Sequence, residues 1–170
     1  MPEPVANLSP SVAPPVHPRI ALFQPDIPGN TGTILRFASC MGVGVDIIEP
    51  AGFRMDDKSL KRAGMDYLEL ASLTRHADWL AFEATRTQEK RRLICLTTKA
   101  TTPYTDFAFQ SDDIVLFGRE SAGVPDHVHN AADVRLVIPM VAAARSINLA
   151  LSVAMVMGEV LRQTKKPIAK

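Results

Sequence analysis

The regular alternation of apolar runs and helix-like stretches constrains the fold of this chain more than any other feature. From Arg19 onward, short runs of apolar and β-branched residues end at turn residues, and each run is followed by apolar residues at helical spacing. This rhythm is typical of α/β domains in which helices flank a parallel sheet. The 170 residues are enough for one such domain with an ordinary buried core, and a second domain is not expected.

Strands are predicted where the apolar runs are continuous, because a strand covered on both faces has no polar side. They span residues 20–24, 45–49, 93–97, 114–118 and 134–138, with a weaker candidate at 67–70. Helices are predicted over residues 31–41, 75–87 and 146–163, with a brief helical turn over 58–63. The predicted caps of the three longer helices are Asn30 or Thr31, then Thr74, and finally Ser146.

The two ends of the chain differ from this domain. Six of the 13 prolines lie within residues 1–18, which excludes a stable helix or a central strand there. We therefore divide the chain into a flexible proline-rich arm (1–18), a single domain (19–164) and a short tail (165–170). The arm is assigned no role.

Composition excludes several classes of protein. The formal net charge is +1, so any surface for nucleic acid must come from the local placement of Lys and Arg. Cys40 and Cys95 have apolar neighbours and no partner motif, which predicts reduced core residues and no disulfide scaffold. No apolar run is long enough to span a bilayer and the N-terminus lacks a signal pattern, so a cytoplasmic protein is expected.

The histidines do not indicate a metal site. His17 lies in the arm, and His76 lies at the start of the predicted helix over 75–87. His127 and His129 follow the predicted strand over 114–118. Because none is spaced for a metal with a third ligand, no metal is expected.

The last predicted helix is apolar in almost every direction. A surface helix shows a single apolar stripe, so this helix must be covered on most of its sides. Either it is buried within one chain, or one flank packs on the sheet and the other meets a second subunit, and the sequence alone leaves both open. The apolar positions are Ile147, Leu149, Leu151, Val153, Met155, Val156, Met157, Val160 and Leu161.

Three loops rich in backbone-shaping residues follow predicted strands. Loop 1 covers residues 25–33, loop 2 covers 117–125 and loop 3 covers 138–148. Because ligands in open α/β sheets bind beyond the carboxyl ends of the strands, these loops are candidates for one binding site. Loop 1 alone also fits a plain helix cap. The glycines, proline and ion pair of loop 2 exceed what a plain turn needs, and they predict a tight loop whose backbone can approach a ligand closely. Asn148, a polar residue on an apolar helix, should bond to a neighbouring loop.

The residues in and between these loops resemble the SPOUT class of RNA 2′-O-methyltransferases in order and spacing. The matching segments are residues 27–32 with Arg36, residues 56–58 with 62–67, Gly118 with Glu120, and residues 138–140 with 145–149. The resemblance extends from Arg19 to about residue 163. It is greatest to members of the class that methylate the wobble nucleotide of tRNA.

This resemblance implies a fold, a cofactor and a reaction. The fold is a parallel sheet flanked by helices with a deep trefoil knot at its C-terminal side, in an obligate homodimer. The cofactor is S-adenosylmethionine (AdoMet), held bent in the knot, with no metal. The implied reaction is 2′-O-methylation of the ribose at nucleotide 34, cytidine or modified uridine, in leucine tRNAs, with the tRNA anticodon stem-loop as partner.

Site residues follow from the same resemblance. The cofactor-binding positions are Leu96, Thr97, Gly118, Ile138, Met140 and Ser146. Arg36 is implied as the catalytic residue, with Asn30 and Glu120 holding the loops around it and Asn148 locking loop 3. Because a guanidinium stays protonated, we expect Arg36 to grip the neighbouring phosphate and stabilise a developing alkoxide, not to act as a base.

Two residues depart from the pattern of the class, and both affect what can be carried over. Arg119 stands where many relatives have proline, which changes loop stiffness or adds a phosphate contact. Ala150 stands where a small hydroxyl residue is common.

RNA affinity is expected from cations that are scattered along the chain. They are Lys58, Lys61, Arg62, Arg75, Lys90, Arg91, Arg92, Lys99 and Arg145.

Three alternatives stay open from the sequence. The same transfer could act on another tRNA or rRNA site, or the chain could be a knotted RNA-binding module without catalysis. A nucleotide-binding dehydrogenase is suggested by Gly42, Gly44 and Glu49. The dinucleotide motif, however, requires strand, glycines and then helix, whereas these glycines close a helix and open a strand.

Overall fold

The computed structural model of the chain describes residues 17–56, 58, 62 and 72–165. Six strands and four α-helices alternate along these ranges. In chain order they are β1 (Arg19–Phe23), α1 (Pro28–Met41), β2 (Gly44–Ile48), β3 (Leu73–His76), α2 (Trp79–Glu89), β4 (Leu93–Leu96), a 3₁₀ turn (Tyr104–Asp106), β5 (Ile114–Phe117), α3 (Asp126–Ala131), β6 (Val134–Leu136) and α4 (Leu149–Thr164).

All six strands form one parallel sheet in the order β3-β2-β1-β5-β4-β6. The predicted α/β class is therefore confirmed. The order reverses between β1 and β5, and at such a point the carboxyl ends of neighbouring strands open a crevice. Gly42 ends α1 in the left-handed region, at φ 66°, and Gly44 opens β2, so the glycines lie in the order opposite to a dinucleotide motif.

Both faces of the sheet are covered, which explains why the strand sequences are continuously apolar. Along β1, Ile20 and Leu22 point into a core shared with α1 and α4. The alternate residues Ala21 and Phe23 point into a second core, shared with α2 and α3. Strand alternation thus sends one sequence run into two different cores.

Two helix starts differ from the sequence prediction. Helix α1 begins at Pro28, earlier than predicted, and its N-cap Ile27 makes no side-chain cap bond, so neither Asn30 nor Thr31 is the cap. Proline at the first helical position lacks the N–H that a cap would satisfy, so the helix can begin there without one. Helix α4 begins at Leu149, and its cap is Asn148, not Ser146.

The predicted helix over 75–87 was wrong at its start. Residues Leu73–His76 form β3, paired in parallel with β2, and Thr74 is a strand residue, not a cap. Helix α2 begins at Trp79, where the carboxylate of Asp78 accepts the N–H of Ala81 at 2.8 Å. The predicted strand over 67–70 and most of the predicted helical turn over 58–63 lie outside the described residues.

A buried polar group links the first three strands. Arg19 Nε donates to Asp46 Oδ2 at 2.6 Å, and His76 Nε2 lies 2.8 Å from Asp46 Oδ1. The side chains of Asp46 and His76 are 7% and 6% exposed. His76 is the last residue of β3, whereas the sequence pattern predicted it at the start of a helix.

The two cysteines differ in exposure. Cys95 is buried, as predicted, and burial raises the pKa of its thiol to about 11. Cys40 is exposed on α1 and is not a core residue, contrary to the prediction.

One side of α4 is uncovered in the single chain. Its residues Leu151 and Met155 are 60% and 43% exposed. In the described ranges, no helix combines the length and hydropathy that crossing a membrane requires.

Candidate functional site

A cavity of about 450 Å³ opens at the carboxyl ends of β1, β5, β4 and β6. Its walls come from the residues that follow these strands, as the reversal of strand order predicts. All six predicted cofactor-binding residues line it, and so do three of the predicted catalytic set. These are Leu96, Thr97, Gly118, Ile138, Met140, Ser146, Asn30, Glu120 and Asn148.

The cavity wall combines apolar surface with a few polar groups. Leu96, Phe117 and Ile138 supply apolar side chains at the ends of three neighbouring strands. Lys99 and Arg145 add positive charge to the same lining. A volume of this size with apolar walls and few polar groups is typical of a pocket for a small organic ligand.

Loop 2 is a closed hairpin. The N–H of Arg119 donates to the carbonyl of Gly123 at 3.0 Å, and the N–H of Gly123 donates back at 2.9 Å. Gly123 has φ 64°, and a Cβ at Gly118 would lie 2.5 Å from the carbonyl carbon of Gly123. Sequence reasoning explained the glycines by close approach to a ligand, whereas the backbone of the loop itself excludes a side chain at Gly118.

Loop 1 is held to loop 2 through Asp26. Arg119 Nη2 donates to Asp26 Oδ1 at 2.8 Å, and the N–H of Ser121 donates to Asp26 Oδ2 at 3.1 Å. The hydrogen bond from the Arg119 side chain, followed by that from the Ser121 hydroxyl, holds the pKa of Asp26 below its ordinary value. Glu120 Oε2 accepts the N–H of Asp26 at 2.8 Å. Arg119 therefore bonds to a carboxylate of loop 1, a partner that the sequence prediction missed.

Loop 3 is held to loop 1 through two asparagines. Asn148 Nδ2 donates to Asn30 Oδ1 at 3.0 Å, and Asn30 Nδ2 lies 3.5 Å from Glu120 Oε1, a long hydrogen bond. Asn148 Oδ1 also accepts the N–H of Ala150 at 2.9 Å, which caps α4. The predicted bond between Asn148 and a neighbouring loop is confirmed, and the three loops form one network.

Arg36 differs from the other predicted site residues. It is exposed on α1 and is not among the residues that line the cavity. At 1.5 Å per residue, it lies about 9 Å further along the helix axis than Asn30. The structure therefore places Arg36 outside the cavity wall, on a later turn of α1 than Asn30.

Several predicted RNA-binding cations are engaged in ion pairs. Arg92 Nε donates to the fully buried Asp113 at 2.7 Å, and Arg91 Nε lies 3.0 Å from Glu89 Oε2. Arg75 pairs with Glu49. Lys61 lies outside the described residues. Among the predicted cations, Lys99 and Arg145 are the two that line the cavity, so they are best placed to meet a ligand there.

Metal ligands are not clustered in the part of the chain that the structure describes. No group of three or more His, Cys, Asp or Glu side chains there could hold a metal ion.

Comparisons with known proteins identify the family. Residues 17–158 match the family described as the SpoU rRNA Methylase family. A tRNA (cytidine(34)-2′-O)-methyltransferase from Beijerinckia indica is 56% identical over 144 residues, which cover 85% of this chain and 90% of that protein.

Solved structures agree with this match. One, described as giving structural insights into the 2-OH methylation of C/U34 on tRNA, has a TM-score of 0.83 at 33% identity and covers 88% of this chain and 97% of its own. Another, an AdoMet-bound rRNA methyltransferase from Sinorhizobium meliloti, has a TM-score of 0.76 at 26% identity and covers 86% of this chain and 56% of its own.

Proposed function

The chain belongs to the SpoU rRNA methylase family. We propose that it methylates the ribose 2′-hydroxyl of the wobble nucleotide, position 34, of tRNA. AdoMet is the methyl donor. The observation that carries the proposal is the 56% identity, over most of both chains, to a tRNA (cytidine(34)-2′-O)-methyltransferase. Cytidine or a modified uridine is the proposed target, and leucine tRNAs are the proposed substrates, bound at the anticodon stem-loop.

The lining of the cavity fits AdoMet. Leu96 and Ile138 offer apolar surface of the kind that sandwiches an adenine, and Thr97 and Ser146 offer hydroxyls to the polar part of the molecule. When bound, AdoMet supplies an electrophilic methyl group on a sulfonium. Residues of the three loops would hold the molecule in the cavity, and their hydrogen-bond network would keep it positioned for an in-line attack.

We assign Arg36 the role of binding the phosphate next to the target ribose and stabilising negative charge on its oxygen. A guanidinium has five N–H donors in a planar fork and stays protonated, so it suits charge stabilisation and not proton abstraction. Asn30, Glu120 and Asn148 form the network that holds the loops in place around the reaction.

We further propose a homodimer that acts in the cytoplasm, where tRNA is processed. The uncovered side of α4 presents Leu151 and Met155 to solvent in the single chain. Apolar residues that follow one another along a helix face are typical of a subunit interface.

The alternatives from the sequence have less support. The order of Gly42 and Gly44 argues against a dinucleotide site, and the 56% identity to a methyltransferase argues against a module without catalysis. Methylation of an rRNA site is the second candidate, because the matching family is described by rRNA methylation.

The proposal is tested with purified protein, AdoMet carrying a labelled methyl group, and leucine tRNA transcripts. We expect one methyl group per tRNA, at the ribose of nucleotide 34. A matched transcript with a 2′-deoxyribose at that nucleotide should accept none, because the attacking oxygen is missing. Equal labelling of both transcripts, or labelling of rRNA alone, would contradict the proposal.

A further inference from the structure

The ion pair between Asp26 and Arg119 joins the loop before α1 to the wall of the cavity. We propose that this pair is a positioning element for methyl transfer, which keeps Asn30 and Glu120 in register with the cavity. The inference rests on the proposed function, and it concerns residues to which that function assigned no role.

Loop 2 grips Asp26 with three consecutive residues. Arg119 presents two nitrogens to Asp26 Oδ1, with Nη2 at 2.8 Å and Nε at 3.2 Å. Ser121 donates its N–H and its hydroxyl to Asp26 Oδ2. Glu120, between them, accepts the N–H of Asp26 at 2.8 Å. Both carboxylate oxygens and the backbone of Asp26 are therefore held by one short segment.

The contacts between loop 2 and Asp26 connect the cavity wall to the start of α1. On one side, the hairpin bonds between Arg119 and Gly123 make loop 2 a rigid wall of the cavity. On the other side, α1 begins at Pro28, two residues after Asp26, and carries Asn30 and Arg36. A shift of Asp26 would therefore move the start of α1 relative to the cavity.

Such a shift should affect the transfer step more than stability or binding. The side chains of Arg119 and Asp26 are 37% and 18% exposed, and ion pairs near the surface contribute little to stability. A misplacement of about 1 Å at a reacting centre, by contrast, can reduce a rate about a hundredfold. The pair is thus expected to act through geometry.

The test is a double-mutant cycle of Arg119→Ala, Asp26→Ala and both together, in the full chain. Single-turnover methylation at saturating AdoMet and tRNA should fall about tenfold to a hundredfold in each single variant. The double variant should lose no more than Asp26→Ala alone, because that change already breaks the contact with Arg119. AdoMet affinity should stay within about threefold of wild type, which separates positioning from uniform binding.

Arg86→Ala is the matched control. It removes an arginine of α2 whose Nε donates to Glu83 Oε1 at 2.6 Å and which is not among the residues that line the cavity. Its single-turnover rate should equal that of wild type. Arg119→Lys keeps the positive charge but lacks the planar guanidinium, so its methylation rate should fall part of the way toward that of Arg119→Ala. This variant keeps the test valid even where an alanine variant unfolds.

Three results would overturn the inference. Rates within about twofold of wild type in both single variants would show that the contact has no role in the transfer. Losses that multiply in the double variant would show that the residues act separately. A loss confined to AdoMet affinity would make Arg119 a cofactor contact.

Hydrogen exchange separates this inference from the proposed function. If wild type transfers no methyl group to tRNA, the proposed function fails, but the amide of Asp26 should still exchange faster in Arg119→Ala than in wild type or Arg86→Ala. Unchanged protection of that amide would overturn the positioning role whatever the activity.

Discussion

Asn148 contacts both the start of α4 and the cavity wall through a single side chain. Its Oδ1 accepts the N–H groups of Ala150 and Leu151 and so caps α4, while its Nδ2 donates to Asn30 in the cavity wall. Removing this side chain should therefore have two separate effects, one on the helix and one on the site.

We predict that Asn148→Ala lowers stability by about 1 kcal/mol, as the loss of a helix cap usually does. It should also lower the single-turnover rate by about tenfold or more, since Asn30 loses its partner. Asp78→Ala is the control: it removes the cap of α2 at a similar cost in stability but lies outside the cavity lining. Denaturant unfolding and methyl transfer measure the two effects, and equal rates in the two variants would contradict a role in the site.

For Arg36 we predict that Arg36→Ala keeps AdoMet affinity and loses transfer on the order of a hundredfold or more, as expected for a donor aimed at developing negative charge. Arg36→Lys should recover little, because an ammonium lacks the planar fork. Single-turnover methylation at saturating AdoMet and tRNA measures the chemical step. An alanine variant within a few fold of wild type would remove Arg36 from the catalytic role.

The motif residues were predictable from sequence, but their geometric partners were not. Leu96, Gly118 and Ile138 stand at the ends of predicted strands, and the topology alone brings them together. Asp26 was missed because an acid in a loop has no periodicity. The signal that could have revealed it is its opposite charge to Arg119, which stands in a loop at the same edge of the sheet.

At the scale of elements, the hairpin of loop 2 sets one wall of the cavity. We predict that Gly118→Ala lowers stability by about 1 to 3 kcal/mol, as overpacking does, because the hairpin must open to make room for the alanine side chain. The same opening of the hairpin should lower AdoMet affinity. Gly29→Ala is the control, since a Cβ there meets nothing within 4 Å. Calorimetry should show altered affinity in the first variant alone, and normal affinity and stability for Gly118→Ala would refute this explanation.

The strands were predicted well because they are covered on both faces and apolar throughout. β3 was the exception: it has only four residues, and Thr74 and Arg75 are exposed in it, so its sequence lacks an apolar run. Pairing with β2, a contact distant in sequence, makes these residues a strand. The start of α2 was misplaced for the same reason.

For the whole molecule, the uncovered side of α4 is the main feature that one chain leaves unexplained. We predict that wild type sediments as a dimer and that Leu151→Glu splits it, because an unpaired carboxylate in an interface costs several kcal/mol. Leu80→Glu is the matched control: Leu80 is 75% exposed on α2, at the opposite face of the sheet, and its variant should stay dimeric. A monomeric wild type with full activity would contradict the proposed dimer.

The family match and the structure together describe a methyltransferase with a cavity at the carboxyl ends of its parallel strands. The trefoil knot implied by the sequence resemblance stays a prediction, since no hydrophobic pattern reports how a chain is threaded.

The most direct measurement of the central claim is a map of 2′-O-methylation across total tRNA, from cells with and without the gene. We predict that deletion removes the methyl group at nucleotide 34 of leucine tRNAs and leaves other 2′-O-methyl sites intact. Wild-type protein should restore it, and Arg36→Ala should not. An unchanged methyl group at nucleotide 34 in the deletion strain, with loss at a different RNA site, would contradict the account.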